Sequence, residues 1–161
     1  MHSLLRGLRR GASSESFALI TALHISAVVT FVQTQTTART FSDDAGMMFH
    51  YIKPDRVADF EMVMGKLKEA LARSSNPIRQ QQAASWKVFK AQEAGPDGSV
   101  LYIFFMDPVV KDADYTVSTI LAEALPTEVQ DLYKTFSDAY ASGQNLVNFH
   151  LIVDLAGGPT P

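Results

Sequence analysis

His50 lies in MMFHYIKP and His150 in NFHLIVDL, each directly after a phenylalanine and each inside an apolar run. An imidazole changes charge near neutral pH. Either ring could therefore act as a general base, hydrogen-bond a small molecule or ligate a metal. A metal wants three or four ligands, and the chain offers no HxH, HxxxH or HExxH spacing and no cysteine. The reading is no metal site and no cofactor, with His50 and His150 as candidate catalytic or ligand-binding residues. The structural alternative is that each is a hydrogen-bonded residue on a half-buried sheet face.

Further side chains join them as ligand-binding candidates. Asn148, two residues before His150, could orient that ring or a ligand. Trp86 could wall a pocket, with Tyr102 and Phe105 adding a hydroxyl and a ring from a neighbouring strand. Tyr51 has the same capacity as Tyr102, Arg79 could reach an anion across a pocket mouth, and Asp154 reads as solvated. The chain carries no dinucleotide-binding glycine pattern, phosphate loop, nucleophile elbow or paired-carboxylate signature.

The elements that must position these residues follow in order. MMFHYIKP is a first strand closed by Pro54. In DRVADFEMVMGKLKEALAR, Val57, Phe60, Met64, Leu67 and Leu71 recur at steps of three and four, which lines one helix face with Asp55 as cap. SSNPIRQQQAAS is a connection with one helical turn, opened by Asn76 and Pro77. WKVFKAQE and VLYIFFMD form a hairpin about Pro96-Asp97-Gly98. DYTVSTILAEAL and TEVQDLYKTFSDAYASG are helical on either side of Pro126, with capping-box spacing at Thr127 and Gln130 and a stop at Gly143. NLVNFHLIVDL is the fourth strand. The order β-α-β-β-α-β predicts an α+β, ferredoxin-like fold: a four-stranded antiparallel sheet with its helices on one face. First and fourth strands are then neighbours, so the two Phe-His pairs come side by side and line one cavity.

Alternation assigns faces. Val147, Phe149, Leu151, Val153 and Leu155 form a row suited to the helices, as do Phe49 and Tyr51, which turns His50 and His150 to the opposite face. That face also carries Met48, Ile52, Leu146, Ile152 and one side of LYIFFM. It is too apolar for water, and a second copy of the chain is the economical cover. Strand one running into KPDRVADFEMVM (Lys53 to Met64), with LYIFFMDP (Leu101 to Pro108), resembles the dimeric α+β barrel superfamily over residues 47–155. That superfamily includes the antibiotic-biosynthesis monooxygenase type. The resemblance implies a homodimer with two sheets face to face. Its range of roles is cofactor-independent oxygenation, haem degradation, isomerisation, or no known activity. Ile103 and Phe105 stand where the monooxygenase type often has an acidic residue and a tryptophan. The haem-degrading type's asparagine, tryptophan and histidine have no counterparts on the matching elements. RNA-recognition domains share the element order, but GSVLYIFF lacks the cation and second glycine of their third strand.

The start of the chain sets the compartment. Arg6, Arg9 and Arg10 precede an apolar stretch, Phe17 to Val32, and a polar exit with small residues at Thr36-Thr37-Ala38. These are the parts of a secretory signal. Sixteen residues interrupted by Thr21, His24 and Ser26 fall short of the roughly 20 that span a bilayer, so an uncleaved membrane anchor is the alternative. Loss of residues 1–38 removes three arginines and Glu15 and takes the formal charge from −3 to −5. An acidic domain without a basic run is a poor nucleic-acid binder. The expected organisation is a signal (1–38), a polar linker (39–46), a ferredoxin-like domain (47–156) and a tail (157–161). The expected protein is secreted or periplasmic and dimeric, without stable membrane insertion once the signal is removed. It binds a small apolar or aromatic molecule. The alternative is a cofactor-independent monooxygenase or isomerase that uses a pocket histidine.

Overall fold

The computed structural model describes residues 37–156; the tail and all but the last two residues of the expected signal lie outside them. Strands β1 (Ala45–Ile52), β2 (Trp86–Ala94), β3 (Val100–Met106) and β4 (Asn145–Phe149) form one antiparallel sheet in the order β2-β3-β1-β4. Helices α1 (Val57–Arg73), α2 (Pro77–Ser85), α3 (Val117–Ala124) and α4 (Val129–Asp138) complete the α+β, ferredoxin-like arrangement. No helix among the described residues is long and apolar enough to cross a membrane.

Local chemistry explains most boundaries. The β2–β3 turn places Asp97 at φ 54° and Gly98 at φ 74°, the left-handed region that glycine and aspartate tolerate. Asn76 accepts from the Ile78 amide at 2.9 Å and caps α2 as expected. That helix runs well beyond one turn because its polar inner side is anchored. Arg79 and Gln82 are both buried and bond the carbonyl of Asp114. The expected capping box at Thr127 does not form: Glu128 is the N-cap residue of α4 and makes no side-chain cap bond. Nor does α4 reach Gly143. The chain turns back after Asp138, with Ala139 O accepting from Lys53 N at 2.9 Å and Ala141 N donating to Tyr51 O at 2.8 Å. A bridge between Ile52 and Tyr140 fixes that return.

The faces of the sheet are the reverse of the expected ones. Gly46, Met48, His50 and Ile52 form the buried row of β1, and Tyr102, Phe104 and Met106 that of β3. These rows meet Phe60, Val63 and Leu67 of α1, Ile120 and Leu121 of α3, and Leu132 and Phe136 of α4 in one core. Leu146, opposite Met48, packs against that core, whereas Val147 and Phe149 are exposed on the other side. His50 therefore faces the helices. The physical reason is that β1 is apolar on both sides, so its own alternation carries no contrast. What decides is the space that Gly46 leaves for Phe41.

Residues 39–44 are packed structure rather than a linker. Phe41 is fully buried against Tyr115, with ring centroids 5.3 Å apart. Tyr115 N donates to Arg39 O at 2.8 Å and Asp112 N to Phe41 O at 2.9 Å. At the other end β4 stops at Phe149, since its partner strand begins at Ala45. Leu151, Ile152, Val153 and Leu155, expected within the strand, are non-strand and exposed.

Candidate functional site

The return of the chain from α4 into β4 lays Tyr140 and Gln144 beside the buried row of β1. The Thr37–Arg39 stretch and the start of α3 close the other side. Together they border an open-sided cavity of about 300 Å³. Its apolar wall includes Met48, Val117 and Phe136, and its polar wall includes Arg39, Gln144 and several hydroxyls. A mostly apolar concavity with a few convergent polar groups is the usual form of a small-molecule site.

A connected chain of hydrogen bonds crosses this cavity. Arg39 Nε donates to Gln144 Oε1 at 3.0 Å, Gln144 Nε2 donates to Tyr140 Oη at 2.6 Å, and Tyr140 Oη lies 2.7 Å from His50 Nδ1. Directions follow from chemistry. An arginine can only donate, so the oxygen of Gln144 must face Arg39 and its NH₂ must face Tyr140. With Gln144 donating to the phenol oxygen, the phenol proton is free to point at His50 Nδ1. That nitrogen is the acceptor and the ring proton resides on Nε2. Gln144 Nε2 lies 3.4 Å from the same Nδ1, which suits an acceptor there.

His50 is fully buried and lies on Phe104, ring centroids 3.8 Å apart and 38° from parallel. Burial, with the nearby Arg39 charge as the smaller cause, pushes its pKa down to about 3, so the ring is neutral near pH 7. Burial likewise holds the Tyr140 phenol above its ordinary range, against the Gln144 hydrogen bond. Among the described residues nothing accepts from His50 Nε2. An unpaired buried donor costs about 1–3 kcal/mol. The group is poor as a base, because the conjugate acid of an imidazole so depressed holds its proton weakly. As a neutral hydrogen-bonding wall it is well fixed.

Of the sequence candidates, only His50 lines this cavity. His150 lies past the end of β4, exposed, with Nδ1 3.1 Å from Asp43 Oδ1 and 3.1 Å from Asp44 Oδ2. The hydrogen bond to Asp43 is the main cause that raises its pKa. Asp44, the residue before β1, precedes His50 by six residues, roughly 20 Å of extended backbone, and the two imidazoles line separate cavities. The expectation of a common pocket fails because β1 and β4 pair with a large offset. Asn148 is exposed and accepts from Ser42 N at 3.0 Å. Trp86 packs on Phe104 and Tyr115 at 5.4 and 5.3 Å, outside the cavity. The buried Tyr102 donates its hydroxyl proton to Glu61 at the far side of the core. Phe105 pairs with Met47 on the opposite face of the sheet. Arg79, expected at a pocket mouth, is buried and held bidentately by Glu123 at 2.7 and 3.0 Å. Asp154 is exposed and caps Ala156 N.

Asp43, Asp44 and His150 bring ligand-type atoms within 4.8 Å of one another. Lys111 Nζ already stands 3.3 Å from Asp44 and supplies positive charge to that group. The residues that sequence reasoning missed are Arg39, Tyr140 and Gln144. One signal pointed to Tyr140 and Gln144: YASGQ directly precedes the fourth strand, which the topology sets beside β1.

No protein-family model and no curated protein matches the chain. Among solved structures it is similar to the crystal structure of a single-site variant of SnoaB, a cofactor-independent oxygenase from Streptomyces nogalater. That similarity covers 71% of this chain and 98% of the other at 16% identity, with a TM-score of 0.36.

Proposed function

We propose that this protein is a binding domain for a small apolar or aromatic molecule, held in the cavity between the sheet and α3–α4. The observation that carries the reading is the Arg39–Gln144–Tyr140–His50 chain at the wall of a cavity of about 300 Å³. The bonds between its members have fixed directions, so the wall is preorganised. The depressed pKa of His50 favours a hydrogen-bonding over a proton-abstracting role, and with it binding over catalysis by this ring. Naphthamide is a suitable neutral probe. It should bind saturably, one per chain, and Ser137→Trp, which fills the cavity from an exposed position on α4, should abolish binding. No saturable binding to the unmodified protein would overturn the reading.

The same proposal includes self-association and export. On the open face of the sheet Phe89, Ile103 and Phe49 stand in one cross-strand row, with Phe105, Met47 and Val147 in the next. An apolar surface of this extent calls for a cover, and a second copy supplies one of equal size and chemistry. Ile103→Lys should convert a dimer to a monomer by light scattering; a monomeric unmodified protein at micromolar concentration would exclude the dimer. Export rests on the basic, apolar and polar series of residues 1–38. N-terminal sequencing of protein from a fractionated host should find a chain starting near Arg39 outside the cytoplasm, and a cytoplasmic chain retaining Met1 would exclude it.

A further inference from the structure

The only formally charged side chain among the described residues lining the cavity is Arg39; no aspartate, glutamate or lysine is present in its wall. Arg39 is half-buried, and among the described residues its guanidinium bonds only neutral acceptors, Gln144 Oε1 and the carbonyl of Thr37, each at 3.0 Å. Among the described residues it forms no ion pair, although every buried or half-buried cation elsewhere in the domain, such as Arg79 or Lys66, has a carboxylate within 4.0 Å. The carboxylate nearest in the chain of contacts, Asp114, is turned to backbone and accepts from the amides of Arg39 and Thr116 at 3.2 and 2.8 Å.

We infer that the cavity selects a monoanionic ligand, an aromatic or aliphatic carboxylate whose acid group meets Arg39 and whose apolar body lies on Met48, Val117 and Phe136. This rests on the cavity being a binding site and adds the charge of what it takes. With Nε held by Gln144 and one Nη1 proton by the Thr37 carbonyl, the guanidinium keeps the Nη2 protons and the second Nη1 proton to receive a carboxylate. Neutral His50 and Tyr140 add no competing anion.

The test compares naphthoate, naphthamide and naphthylmethylammonium by calorimetric titration of the full chain. Naphthoate should bind at least about tenfold more tightly than the isosteric amide, as a charge-assisted pair in a sheltered site requires, and the ammonium should bind weakest. Arg39→Gln should abolish the preference for naphthoate, so that acid and amide bind alike. Arg39→Lys keeps the charge and gives up the Nε bond to Gln144, so it should retain a preference. Equal binding of acid and amide by the unmodified protein would overturn the anion inference while leaving the cavity reading intact. So would a parallel loss of both in Arg39→Gln with no rescue by lysine, which would mark Arg39 as a positioning residue for Gln144 alone. Binding of none of the three probes would overturn both.

Discussion

Acidification from pH 7 to pH 5 should expose the state of His50 as a loss of stability. In the unfolded chain an imidazole titrates at 6.5, whereas in the fold this ring is held down to about 3. The folded ring stays neutral across the window and the unfolded one takes up a proton. The sign follows: a depressed pKa gives stability that is complete above the unfolded value and is lost as pH falls towards the folded one. Linkage makes the loss about 2 kcal/mol between pH 7 and pH 5, and about 5 kcal/mol once both states are protonated. Asp44, Glu61, Asp114 and Asp138 are all held below their ordinary range, so their contributions disappear below the window rather than within it. His150 works in the opposite sense. Its raised pKa favours the fold below the unfolded value and the gain fades as pH rises, but the ring is exposed and screened. Urea unfolding at the two pH values, in the unmodified protein and in His50→Gln, separates the two. The variant loses the packing on Phe104 and should be weaker at both. Its stability should nevertheless fall by about 2 kcal/mol less on acidification. Equal pH dependence in the two proteins would refute the argument, as would an NMR titration in which His50 protonates above pH 6.

Other perturbations read separate parts of the fold. Gly46→Ala would drive a methyl group into the Phe41 ring, which is fully buried and cannot swing away, so a loss of about 1–3 kcal/mol is expected in thermal or urea unfolding. Arg79→Met leaves Gln82 Oε1 and Glu123 without their donor and the Asp114 carbonyl with Gln82 Nε2 alone. Breaking a buried pair usually costs about 3–5 kcal/mol. Here Glu123 is 46% exposed and regains water, so about 2 kcal/mol is expected from urea unfolding. Tyr140→Phe removes the hydroxyl between Gln144 and His50. About 1 kcal/mol of stability should go, and His50 should remain neutral at pH 5 by NMR, because burial rather than this bond sets its pKa.

The element order and sheet topology were legible because they rest on strong local signals: a helical repeat in α1, a Pro-Asp-Gly hairpin and a break at Pro126. Faces were not legible, and β1 shows why. Its two rows, Gly46-Met48-His50-Ile52 and Ala45-Met47-Phe49-Tyr51, differ little in hydrophobicity, so the row containing histidine looks like the one to expose. Burial inverts that reading through a feature the strand does not contain. Phe41, in a stretch that looks like linker, needs the space above Gly46, and this commits the glycine row and His50 with it to the helices. A histidine on an inner row must then be neutral and must find partners from elsewhere in the chain. Those partners, Tyr140 and Gln144, come from a loop whose sequence, YASGQ, resembles any helix exit. The site was hidden for the same reason that it is specific. No pair of neighbouring residues builds it, and it exists only where the return from α4, the entry of Arg39 and the buried row of β1 meet. Each of the three is held there by backbone bonds, Ala141 to Tyr51, Tyr115 to Arg39 and the β1–β3 ladder. The side-chain chain therefore spans a frame that is fixed independently of it. That is what allows His50, Tyr140 or Arg39 to be changed one at a time without losing the fold that presents the others.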